Sequence, residues 1–136
     1  MDTSGCITHE DGYGIVEECN IFNDAYSGVT IKTGGKPIIR QCQIHDGKEK
    51  GVFVLENGTC LIEYCDIFNN AYSGVQIKTG GNPLIRRCRI NRNGYQAVWV
   101  SDKGTGRVEK CDLTDNAWGA WDIQEGCQVR RVGNKE

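Results

Sequence analysis

Residues 65–91 read CDIFNNAYSGVQIKTGGNPLIRRCRIN and residues 19–45 read CNIFNDAYSGVTIKTGGKPIIRQCQIH, agreeing at 19 of 27 positions. The stretch between them keeps the same frame at half the distance. Cys19, Cys42, Cys65, Cys88 and Cys111 stand 23 residues apart. Two residues after each comes an aliphatic: Ile21, Ile44, Ile67, Ile90, Leu113. Nine residues after each stands a small residue: Gly28, Gly51, Gly74, Ala97, Ala120. Val29, Val52, Val75, Val98 and Trp121 come next, followed two places on by Ile31, Val54, Ile77, Val100 and Ile123. A last column holds Ile39, Ile62, Ile85 and Val108. A fixed period of this length marks a solenoid in which each repeat stacks on its neighbours.

The pattern within the period selects the solenoid. Val-Thr-Ile and Val-Phe-Val alternate with period two, which is a strand signal, and no window sustains the i, i+3, i+4 spacing of a helix. Leucine-rich and hexapeptide spacings are absent. The repeat therefore predicts an all-β, single-stranded, right-handed parallel β-helix of about five to six coils, with three short strands per coil. Regular coils are expected over residues 5–125 and an irregular tail over 126–136, within one domain spanning 1–136. Residues 23 apart stack at roughly 4.8 Å per coil.

Length and composition agree with a thin solenoid. The 136 residues are 38% hydrophobic and 25% charged, with a net charge of −2. That balance lacks the basic excess of a nucleic-acid or membrane-surface binder. The longest apolar runs have four residues, too few to span a bilayer. The opening MDTSGCITHEDG has acids and no apolar core, so no secretory signal is expected and an intracellular, cytoplasmic protein with reduced cysteines is. The 18 glycines against two prolines imply many tight turns.

Two columns read as structural. Glu17, Arg40, Glu63, Arg86 and Glu109 alternate in sign, and Asn20, Gln43, Asp66, Arg89 and Asp112 echo this in their second half. Opposite charges stacked on a sheet contribute roughly 0.2–1 kcal/mol per pair. The cysteine column reads as compact hydrophobes lining a bend. Strand spacing exceeds the usual disulfide reach, no CxxC is present, and His9 and His45 fall in different columns, so neither disulfide, metal nor cofactor is expected. Cys6 aligns with the core valines, whereas Cys60 and Cys127 are the cysteines expected to be exposed.

Aromatic residues supply the candidate contact face. Tyr26, Tyr72, Tyr95 and Trp118 share one column, and Phe53 and Trp99 share an outward column with Thr30, Gln76 and Asp122. Such a stripe anchors protein partners or stacks on sugars. Acids are sparser. The column Thr33, Glu56, Thr79, Asp102, Glu125 puts Glu56 and Asp102 about 10 Å apart, at the upper end of an inverting carboxylate pair. With no histidine beside them and no deep cleft implied, catalysis is not expected. The pairs Gly34-Gly35 and Gly80-Gly81 punctuate turns rather than a phosphate loop, since no helix follows.

Residues 65–90 and GVFVLENGTCLIEYCDIF (51–68) resemble the β-helix repeats of F-box-only ubiquitin-ligase receptors and the wider carbohydrate-binding and sugar-hydrolase class of β-helices. The resemblance covers roughly residues 5–125. It implies the fold, and in the F-box relatives a β-helix that recruits substrate proteins. This chain shows no F-box helices, and it places cysteine where those repeats carry asparagine. The resulting expectation is a non-catalytic protein-interaction or scaffold module contacting its partner through Tyr26, Phe53, Tyr72, Tyr95, Trp99 and Trp118. Alternatives are a carbohydrate-binding or carbohydrate-active protein using the same stripe, and a structural piece of a larger assembly. No helical cap is visible at either end, so end-to-end self-association is a further expectation.

Overall fold

The computed structural model describes residues 2–3, 7–10, 13–33 and 36–136. The chain winds as a parallel β-solenoid of three sheets. The first contains β1 (Asp2–Thr3), β4 (Asn20–Phe22), β7 (Gln43–His45), β10 (Asp66–Phe68) and β13 (Arg89–Asn91). The second contains β2 (Ile7–Glu10), β5 (Val29–Lys32), β8 (Val52–Val54), β11 (Val75–Ile77), β14 (Val98–Val100) and β16 (Trp121–Ile123). The third contains β3 (Tyr13–Glu17), β6 (Lys36–Arg40), β9 (Thr59–Glu63), β12 (Asn82–Arg86), β15 (Thr105–Glu109) and β17 (Gln128–Val132). Every coil visits the sheets in the order first, second, third. Its strands pair in parallel with those one coil away, as in Ile67↔Ile90, Val75↔Val98 and Ile85↔Val108. These are the 23-residue columns of the sequence.

Alternation sends the aliphatic columns inward. Ile21, Ile44, Ile67, Ile77, Ile62 and Ile85 are fully buried in one continuous core. Among the described residues, the corners are turned by residues with left-handed backbone. Glu18, Gln41, Tyr64, Arg87 and Lys110 (φ 51–54°) precede the cysteines, and Thr33, Glu56, Thr79 and Asp102 (φ 49–56°) follow the second sheet. One left-handed residue reverses the side-chain sense and bends the strand sharply, so repeating it closes each coil into a triangle.

Several expectations change. Residues 128–132, expected to be irregular, form β17 and add a rung to the third sheet. Cys60, expected to be exposed, is buried, because it stands two residues before the core residue Ile62 on the same face of β9. Cys127 is partly buried. Cys6 and the Gly34-Gly35 pair lie outside the described residues. The alternating charge column resolves into discrete pairs: Arg40 with Glu17, and Arg86 with Glu63 at 2.9 Å. Glu109 turns to Arg107, its neighbour two residues back on β15, at 2.8 Å. Arg89 holds Asp66 with two bonds of 2.8 Å.

Candidate functional site

The outer face of the second sheet gathers the aromatic columns. Phe53, Gln76 and Trp99 are in register on β8, β11 and β14, between inward-pointing valines and isoleucines. Gln76 is flanked by the two aromatic residues and is 5% exposed, and its Oε1 has no hydrogen-bond partner. Phe53 and Trp99 therefore stand two strand spacings apart, about 10 Å.

The second aromatic column runs along the edge of this face, in the corner leading from the first sheet to the second. Tyr72 and Tyr95 stack at 4.9 Å between centroids and Tyr95 and Trp118 at 4.1 Å, with interplanar angles of 21° and 7°. Tyr26 stands apart from this stack, because Glu49 occupies the column position between it and Tyr72. Lys50 links the two columns: its Nζ lies 4.6 Å from the Phe53 centroid and 6.0 Å from that of Tyr72, and 3.1 Å from Glu49 Oε1. Five of the six expected contact residues thus form one patch, and Tyr26, two-thirds exposed, lies beyond it.

The opposite edge of the face carries the acids. Three residues after Phe53 and Trp99 come Glu56 and Asp102, both exposed at left-handed corners. Thr33 Oγ1 donates to Glu56 Oε2 at 3.3 Å and Thr79 Oγ1 to Asp102 Oδ2 at 3.0 Å, so each carboxylate is oriented by the hydroxyl one coil back. A shallow concavity of about 400 Å³ lies here, lined by Asn57, Thr79, Gly80, Asp102 and Lys103.

Two further columns escaped the sequence reading. Five residues after each cysteine stand Asp24, Gly47, Asn70, Asn93 and Asn116. Asn70 Nδ2 donates to Asn93 Oδ1 (3.1 Å), and Asn93 Nδ2 to Asn116 Oδ1 (3.0 Å). The chain thus has an amide ladder as well as its cysteine column. Burial pushes the Asp24 carboxyl up to about 6. Three residues after each cysteine, Phe22, His45 and Phe68 stack on the outer face of the first sheet at 5.7 and 4.7 Å, with the Arg92 guanidinium 5.5 Å from Phe68. Reading the cysteine-plus-five and cysteine-plus-three positions as columns exposes both.

This solenoid matches the family model described as the right handed beta helix region over residues 1–135, and the chain belongs to that family. Among solved structures it is similar to one titled as the periplasmic alginate epimerase AlgG, with a TM-score of 0.85 at 15% identity. That match covers 98% of this chain and 36% of the other, so the chain spans about a third of the matched protein's length. No curated protein matches.

Two expectations are corrected by this comparison. The exclusion of catalysis rested on acids without a histidine neighbour and on the lack of a deep cleft. It does not stand, because the same architecture carries an epimerase. The cytoplasmic location rested on the missing signal and on reduced cysteines, whereas the matched protein is periplasmic. Thiols buried in a core are shielded from oxidants and thiol exchange, so their reduced state does not report a compartment.

Proposed function

We propose that the chain is a carbohydrate-binding, carbohydrate-active β-helix protein that takes a polysaccharide along the outer face of its second sheet. The observation that carries this reading is the trio Phe53, Gln76 and Trp99, with the Tyr72–Tyr95–Trp118 stack on one edge and Glu56 and Asp102 on the other. A pyranose ring presents an apolar C–H face that packs on an aromatic ring and a rim of hydroxyls that need polar partners. Aromatic platforms repeated along the solenoid axis suit a polymer lying parallel to it. Lys50 offers a polar contact between Phe53 and Tyr72. The alginate epimerase of the comparison supports a uronate polymer as the first substrate to try. Proton transfer at the sugar would fall to Glu56 and Asp102, the exposed carboxylates bordering the face.

The test is affinity electrophoresis and calorimetry with alginate, polygalacturonate and a neutral β-glucan. Wild type is expected to bind at least one of them, and Trp99→Ala to weaken that binding roughly tenfold, as expected for loss of one stacked ring at ~1.4 kcal/mol. Glu56→Gln and Asp102→Asn should keep binding and lose any turnover seen by proton NMR. Failure to bind every polymer would overturn the reading. A protein partner recruited through the same patch is the second reading, favoured by the 60% exposure of Trp118.

A further inference from the structure

Cys19, Cys42, Cys65, Cys88 and Cys111 stand one per coil at the bend from the third sheet to the first, none more than 5% exposed. All five are free thiols. Their surroundings repeat coil by coil. Each Sγ lies 3.3–3.4 Å from the carbonyl oxygen two residues before it. From Cys42 onward each also lies 3.5–3.8 Å from the carbonyl oxygen 26 residues before. Equal surroundings mean one rotamer repeated, so successive sulfurs are offset by one coil, ~4.8 Å.

That interval has a chemical meaning. A disulfide needs its sulfurs ~2.05 Å apart, which the shared rotamer of these free thiols does not give. A metal–thiolate bond is ~2.3 Å, so two placed end to end span ~4.6 Å and fill the interval with almost no movement. Zinc needs a tetrahedral set, and among the described residues no three His, Cys, Asp or Glu side chains are grouped to hold a metal. A straight pair of sulfurs suits a soft ion content with two ligands, and thiolate selects Cu(I).

We propose that the cysteine column binds a soft univalent cation, Cu(I) or Ag(I), held linearly between the sulfurs of consecutive coils. As an ion enters, one thiol releases its proton to solvent and binds as thiolate. Its partner binds through a sulfur lone pair and keeps its proton only until the next ion enters beside it, so four ions would leave four thiolates and one thiol. No electron moves, and the charge of the core is unchanged, which suits an apolar setting. Asn134 follows Cys111 in the column and closes it, accepting from the Cys111 amide (3.0 Å) and donating to Val108 O (2.9 Å). The sequence holds no CxxC because the ligands come one from each coil. This inference is independent of the polysaccharide reading.

The experiment titrates silver nitrate, which needs no reductant, into the full chain, followed by native mass spectrometry and silver-edge X-ray absorption. Cu(I) is then competed anaerobically against a chromogenic chelator. Five sulfurs leave four intervals, so bound silver should reach at most four ions in the column, each with two sulfur neighbours, and should raise the melting temperature. Cys65→Ser keeps a hydroxyl for the same carbonyls and removes two intervals, so column stoichiometry should halve. Cys127→Ser should leave it unchanged. Cys65→Ala, checked by circular dichroism, repeats the test if the serine variant fails to fold. Unchanged stoichiometry in a folded Cys65 variant would overturn the proposal. So would loss of binding with Cys127→Ser, three-sulfur coordination, or a melting temperature lowered by silver.

Discussion

The turn from the first sheet to the second is built in two ways. In residues 69–74 it reads NNAYSG, and in residues 46–51 DGKEKG. The first supplies Asn70 to the amide ladder and Tyr72 to the aromatic stack. The second, one coil earlier, has Gly47 and Glu49 at those positions, so both columns stop together. The backbone follows the same course in each: Asp46 and Asn69 both turn at φ 55°, and Gly51 and Gly74 both lead into paired strands. Coil geometry thus depends on core columns and left-handed corners, while the turn side chains are free to change. The interruption also places Lys50 between Phe53 and Tyr72.

Core truncation should be the most damaging and blind to this difference. Ile62→Ala in the interrupted coil and Ile77→Ala in the next are both fully buried and should each cost about 2–5 kcal/mol in urea unfolding. A cost near zero at either would break the claim of one continuous core. The turn itself should discriminate. Asn93→Ala removes the acceptor of Asn70 N and Nδ2, and should cost on the order of 2–3 kcal/mol. Gly47→Ala, whose new Cβ would meet Asn70 Oδ1 at 3.1 Å, should cost under about 1 kcal/mol. Equal costs would mean the ladder is not what distinguishes the two turns.

Asp24, the acid in the amide column, sharpens the contrast through pH. A free aspartate titrates near 3.8 and the buried Asp24 near 6, so the folded chain keeps a proton that the unfolded chain has already lost. Stability from this group is fully present below about pH 4, falls as pH rises to 6, and is flat above. Asp24→Asn should abolish that fall and leave the variant more stable at pH 7.5, read as urea midpoints at pH 4 and 7.5. Arg86→Glu breaks the pair with Glu63, a carboxylate only 8% exposed, and sets three acids in a row, while Glu109 remains with Arg107, so the loss should be on the order of 1–2 kcal/mol.

Much of the molecule was legible from period and alternation. The columns through Ile21, Val29, Ile31 and Ile39 told where the core lies, and the outward placement of Phe53 and Trp99 followed from the inward aliphatics on either side of each. The amide ladder and the Phe22–His45–Phe68 stack were present as columns, but broken ones. Gly47 interrupts the first and Asn91 ends the second, and a column with a gap does not announce itself in one dimension. The burial of Cys60 follows from the same alternation that placed Ile62. Its alignment with Pro37 and Pro83 obscured this, although both prolines are also buried.

The sequence alone determined the solenoid, because a 23-residue period with alternating aliphatics can bury its apolar side chains only by stacking coil on coil. Tertiary structure decided which side chains meet across coils. Lys50 over Phe53, Arg107 rather than Arg86 on Glu109, and five sulfurs repeated in one rotamer all depend on side-chain directions across strands ~4.8 Å apart. A column fixes which residues are neighbours, while rotamers and the corner bends settle which of those neighbours touch.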